Sequence, residues 1–386
     1  MAQPISSSTI TVNSDIASQN PELTGMKPGE TSRKQLMAFM RGTKIMIPDY
    51  QPLLSHWPAR ENKGTAELRE RVHEWLESTF SSSEDAKRLN WLKKSVIYLF
   101  PARWCPHARF EALLVITHMM YWLFAWDDET DSAEFSSIIE SLERSSAFRD
   151  ESIRYVEAVL CSSSAEVDPE SISSNHFITF FRPIGEAVKA NYTEDQTQSF
   201  LREVKLYMQT TGEEHRNQMT RDLPTVDQYL EMRMGSSGVG ICLALNEYGL
   251  DIQLPREVLQ SEPMRIIWHE TNMITAMCED PPGAFSKKGR TDKFLTYRMN
   301  DVYSIKKELD QNQVDTLIPL LTLSLGSAGR ALDAATAMVR SSIGRFDAAE
   351  RALLGLFAGR EDVRRLHSGR YKLRVDATSG GAYVTL

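Results

Sequence analysis

"HARFEALLVITHMMYWLFAWDDETD", His107 to Asp131, decides how this chain folds. From Phe110 to Trp126 it is apolar almost all round, with no polar face left for solvent. A helix of that kind lies in the middle of a large core. The stretch then runs straight into three carboxylates, Asp127, Asp128 and Asp131. Charge left unpaired beside such bulk is costly, so the acids predict a partner that the helix itself does not supply. Asp127 and Asp131 stand one turn apart and share a face. Hard oxygen ligands at this spacing suit Mg²⁺, which takes one or two carboxylates and fills its shell with water and phosphate oxygens. A solvated acidic helix end, or an acidic start to the next helix, would also account for them.

Outward from this stretch, helical periodicity dominates from Lys34 on. "TAELRERVHEWLESTF" puts Leu68, Val72, Trp75 and Leu76 on one stripe with charges opposite. "SFLREVKLYMQTTGEEHRNQM", "GSSGVGICLALNEYGL", "VDTLIPLLTLSLGSAGRALDAATAMVRSSIG" and "AAERALLGLFAGREDVRRLHSG" also read as helices. Breaks fall at prolines, among them Pro101, Pro106, Pro224, Pro255 and Pro263. No run of alternating strand pattern stands out. The reading is one all-α domain over residues 34–375, between a polar tail at 1–33 and a C-terminal tail at 376–386.

Composition narrows the function classes. A net charge of -8 over 386 residues argues against nucleic-acid binding, which needs a basic face. It does not argue against an anion held through metal ions. The four cysteines are scattered, which suits free thiols in a reducing compartment. The first residues lack the basic start and apolar core of a secretion signal. No apolar run reaches the length of a membrane span. A cytoplasmic protein without a membrane span is expected, monomeric or homodimeric.

Three further constellations carry chemistry. In "NDVYSIKKE", Asn300, Ser304 and Glu308 fall at i, i+4 and i+8 on one helical face, an oxygen-rich stripe for a second hard cation. Lys306 and Lys307 beside it are within reach of a phosphate. A capping Asn before a polar surface helix fits the same letters. In "YLEMRMGSSGVG", Arg233 precedes small residues at which a helix can bend or break. Arginine is the natural bidentate partner of phosphate oxygens, although a surface Arg beside a Gly-rich packing face is the plainer account. In "HSGRYKL", Arg370 and Tyr371 offer a fork of donors and a phenol.

Taken together and in this order, the four resemble the motifs of class I terpene synthases, especially single-domain fungal sesquiterpene cyclases. Asp127 to Asp131 is similar to the family's DDxxD motif. Asn300, Ser304 and Glu308 match its NSE triad. Arg233 matches its diphosphate-sensor arginine, and Arg370–Tyr371 its C-terminal RY pair. The resemblance covers roughly residues 47–372. It implies antiparallel helices around a deep apolar pocket, with the acid motif and the triad facing each other across the mouth. It also implies three Mg²⁺ ions held by Asp127, Asp128, Asp131, Asn300, Ser304 and Glu308. Arg233, Lys307, Arg370 and Tyr371 are then the diphosphate contacts. On the Asp127 helix, Thr117, Met120 and Phe124 step back at helical spacing, and Phe124 is the wall residue nearest the metal motif. The implied reaction is cyclisation of farnesyl diphosphate, with geranyl and geranylgeranyl diphosphate as alternatives. The triad in place of a second aspartate-rich motif favours cyclisation over chain elongation.

One spacing departs from the pattern. Arg233 and Asn300 should both face the mouth, and one helix down and one back at 1.5 Å per residue needs about 45 residues. They are 67 positions apart. The surplus of about 21 falls on "CEDPPGAFSKKGRTDKFLTYR", Cys278 to Arg298, where Pro281, Pro282 and five Lys/Arg suit no buried helix. Without it, "NMITAM" runs into "MNDVYSIKKE" as one helical pattern. The segment reads as an insertion or a retained intron, and a chain carrying it as a catalytically impaired relative.

Overall fold

The computed structural model describes residues 33–57, 60–82, 86–131, 135–161, 167–220, 222–278, 305–310, 312–368 and 382–385. The principal helices are α1 (Arg33–Met40), α2 (Thr65–Thr79), α3 (Ala86–Lys94), α4 (Phe110–Asp131), α5 (Leu142–Leu160), α6 (Glu194–Met219), α7 (Val226–Ser236), α8 (Val239–Ala244), α9 (Glu262–Cys278), α10 (Ile305–Asp310), α11 (Leu317–Leu325) and α12 (Ala328–Leu356). Shorter helical segments join them.

The expected central helix is α4. Leu113, Met119, Tyr121, Trp122, Ala125 and Trp126 are wholly buried. Its two tryptophans keep their polar edges satisfied. Trp122 Nε1 donates to the Phe177 carbonyl at 2.9 Å, and Trp126 Nε1 to Ser152 Oγ on α5 at 2.8 Å. The predicted stripe of α2 also holds: Leu68, Val72 and Leu76 are fully buried. Trp75 is part-exposed and stacks on His118 of α4, with ring centroids 3.7 Å apart.

The C-terminal end of α4 is fixed from α3. Arg88, 4% exposed, donates to the Ala125 carbonyl at 2.8 Å and pairs with Glu129. Its guanidinium lies over the Phe177 ring, 4.2 Å from the centroid. The α6 helix starts with a full capping box between Thr193 and Gln196. It packs on α5, α7 and α8. Behind it, α9 lies along α12, and α11 along α12. One apolar cluster gathers α2 to α6 and α8; a second gathers α1, α9, α11 and α12.

Two sequence expectations change. The pattern Val314 to Gly344 is two helices, because Gly326 takes φ +70° and Ser327 caps α12. The C-terminal tail contains a strand. β2 (Ala382–Thr385) pairs antiparallel with β1 (Lys44–Ile47), with Lys44 opposite Thr385. Four-residue strands are too short to show a period in sequence. The segment Cys278–Arg298 lies, beyond the end of α9 at Cys278, outside the described residues. Among the described residues, no helix is long and apolar enough to cross a membrane.

Candidate active site

Periodicity along α4 leads to the site. Thr117 and Met120 are buried, whereas Phe124 and Asp127, further along the same stripe, keep accessible surface. Phe124 thus lies one turn below a carboxylate at the end of the helix. Tyr207 of α6 donates its hydroxyl to Asp127 Oδ1 at 2.8 Å. Burial, then the Asp127 charge, push the Tyr207 phenol well above its ordinary range, so it stays a donor.

Charged groups gather around this pair. Arg149 of α5 is 5% exposed, and its Nη2 makes one long bond, 3.5 Å, to the Thr211 carbonyl. Burial works against its charge, and the Asp127 carboxylate is the strongest group favouring it. On α6, Glu214 is pushed up to about 7. Burial is the main cause, and nearby Arg233 opposes it. The charges of Asp315 and Asp127 add to the rise. Glu214 keeps some accessible area while its carboxyl is desolvated, as in a recess walled by protein.

Arg233 arrives from α7, where it is 8% exposed. As the small residues after it suggested, the helix stops at Ser236 and restarts at Val239. Gly238 makes the break with φ +72°, and a Cβ there would stand 3.1 Å from Leu123 of α4. Ser237 donates to Asn272 of α9 at 2.9 Å, and Asn272 in turn holds the Met234 carbonyl at 2.7 Å. The break therefore ties α4, α7 and α9 together beside Arg233.

The far side is α10 and the turn after it. Glu308 accepts a bond from Thr316 at 2.6 Å, next to Asp315. Asp315 is held by Arg33 of α1 at 2.9 Å. Because Asp315 also acts on Glu214, this turn lies at the Asp127 end of the helices.

The structure thus brings Asp127, Phe124, Arg233 and the Glu308 turn to one end of the fold. Asp128 differs from Asp127, being fully buried. Asn300, Ser304, Arg370 and Tyr371, and the side chains of Asp131 and Lys307, lie outside the described residues. Among the described residues, no three His, Cys, Asp or Glu side chains close on one point as a complete metal shell. The donors present are nevertheless all hard oxygens, which fits a Mg²⁺-type cation and not a soft metal. Sequence reasoning missed Tyr207, Arg149, Glu214 and Asp315. For Glu214 a signal existed: Phe200, Val204, Tyr207, Thr211 and Glu214 fall on one inward stripe of α6, where a carboxylate is out of place.

Comparison with known proteins agrees with this geometry. The family model described as terpene synthase family 2, C-terminal metal binding, matches residues 118–281. A sesquiterpene cyclase, hepA, of Aspergillus oryzae is 28% identical over 87% of this chain and 84% of its own. A terpene cyclase, braA, of Annulohypoxylon truncatum is 24% identical over 83% and 79%. Among solved structures, hedycaryol synthase superposes with a TM-score of 0.63 at 18% identity, over 85% of this chain and 96% of its own. An ancestrally reconstructed protein, SVS_A2, gives 0.65 at 19% identity, over 83% and 86%. The fold is therefore the class I terpenoid synthase α-fold. In fold, motifs and relatives the chain thus resembles the class I terpene synthases of the fungal type, and the family model it matches is described as metal binding.

Proposed function

We propose that the chain ionises farnesyl diphosphate with Mg²⁺ and cyclises the resulting cation to a sesquiterpene, releasing diphosphate. The reaction belongs to residues 34–375. One observation carries the reading: Asp127, Arg149, Glu214, Arg233 and Asp315 converge at the end of α4 whose next inward turn is Phe124. A sesquiterpene cyclase among the relatives favours the fifteen-carbon substrate.

Asp127 and Asp131, with Asp128 behind them, and Asn300, Ser304 and Glu308 opposite, are the residues assigned to hold Mg²⁺. When bound, the metal supplies Lewis-acid neutralisation of the departing diphosphate. Arg233, Lys307, Arg370 and Tyr371 are assigned to grip the diphosphate oxygens, Arg233 from a buried position that strengthens each contact. Below them, Met120 and Phe124 keep water from the cation, and the Phe124 face stabilises its charge by about 1–2 kcal/mol.

Purified protein incubated with farnesyl, geranyl or geranylgeranyl diphosphate, with Mg²⁺ or with a chelator, tests this. A volatile hydrocarbon or alcohol and stoichiometric diphosphate release are expected from farnesyl diphosphate with Mg²⁺ alone. Turnover of only a different chain length, or undiminished turnover in chelator, overturns the reading.

A further inference from the structure

Tyr207 is assigned no role by any of the four motifs, yet it is the side chain that holds the first aspartate. Its hydroxyl donates to Asp127 Oδ1 at 2.8 Å. Tyr207 is 5% exposed, and the Trp126 ring lies 5.7 Å from its own, centroid to centroid. Against it stands the α7–α8 break, where a Cβ on Gly238 would lie 3.6 Å from Tyr207 Cδ2 and Cε2. Arg149 adds a buried positive charge near the same carboxylate.

A carboxylate at a helix end has free rotation about χ1 and χ2, and losing it on binding metal costs affinity. Residues that orient a ligand from behind remove that cost, and their loss typically lowers metal affinity about 10–100-fold. We propose that Tyr207 is a positioning residue: it fixes the Asp127 carboxylate for the divalent cation, using the helix break at Gly238 as its backstop. The proposal rests on Asp127 being a metal ligand, as inferred above. It places one residue of α6 between the metal side of the site, on α4, and the break beside Arg233.

Tyr207→Phe isolates the effect, because the ring and its packing stay and only the hydroxyl goes. Mn²⁺ binding is measured directly by electron paramagnetic resonance, with and without inorganic diphosphate, on wild type, Tyr207→Phe and Tyr155→Phe. Tyr155 donates to Glu170, away from this site, and serves as the control. Expected are about 10-fold or weaker Mn²⁺ binding in Tyr207→Phe, wild-type binding in Tyr155→Phe, and unchanged melting temperatures in all three. In turnover, the Mg²⁺ concentration for half-maximal rate should rise by a similar factor, with kcat largely restored at saturating Mg²⁺. Equal Mn²⁺ affinity in Tyr207→Phe and wild type overturns the proposal. Loss of kcat that excess metal does not restore also overturns it, since that marks a role in chemistry or packing. If wild type itself binds no Mn²⁺, the functional reading fails instead.

Discussion

Glu214 carries a pH signature. Its carboxyl is raised from 4.5 to about 7 by burial. The neutral form is thus favoured in the folded chain. The stability this lends is present below about 4.5 and is lost as pH rises through about 7, an effect on the order of 3 kcal/mol at most. Metal-free wild type should therefore melt at lower temperature at pH 8 than at pH 5.5, and Glu214→Gln should flatten that difference in calorimetry. Glu129, Glu203 and Glu247 are also raised by burial, so the comparison with wild type is the measurement that counts. Arg233 answers to a different assay. Replacing it by Lys keeps the charge but loses the planar fork. About 10²-fold lower kcat/KM is expected, together with weaker binding of inorganic diphosphate by calorimetry. The acid motif and Arg233 could be read from sequence because each has fixed spacing. Tyr207 and Arg149 could not, because their meaning comes from α5, α6 and α4 meeting in space, and Glu214 showed only as an acid on the inward stripe of α6.

At the scale of elements, the end of α4 is the part whose position matters most. Arg88 of α3 fixes it, buried, bonded to the Ala125 carbonyl and paired with Glu129 of α4 itself. Breaking one half of a buried pair strands the other charge, at about 3–5 kcal/mol. Arg88→Met should lose stability of that order in urea unfolding, and Arg88→Met with Glu129→Leu should recover most of it. A loss in the double variant as large as in the single would show that Arg88 acts through Ala125 alone. The α4 helix was legible because its apolar run is long and continuous. The split between α11 and α12 was not, since only the left-handed turn at Gly326 separates two apolar helices. The β1–β2 pair was hidden for another reason: its partners lie at opposite ends of the sequence.

For the whole molecule, the open question of register lies between α9 and α10. The described helix ends at Cys278, and the family match ends at Pro281, within the first residues of the segment Cys278–Arg298. We propose that this segment is additional to the catalytic fold. Its removal should join α9 to the triad in one helical frame and raise turnover severalfold with farnesyl diphosphate, measured beside the full chain. Unchanged or lower turnover would make it a working loop. Sequencing cDNA across Ala276 to Asp301 addresses its origin; a transcript that always encodes all 21 residues excludes a retained intron.

The two-strand ribbon has a consequence for the other end of the chain. Residues 369–381 run from a helix, Glu361–Ser368, to β2, so both ends of the stretch that holds Arg370 and Tyr371 are moored to the body. Tethering at two fixed points raises the effective concentration of what lies between them. Cutting the chain after Gly381 removes one of the two points. The diphosphate contact proposed for Arg370 and Tyr371 should then weaken with both side chains still present. Titrating inorganic diphosphate into the shortened and full chains separates this from a loss of contacts: the shortened chain should bind more weakly, and its Arg370→Ala version should lose less than the full chain does on the same substitution.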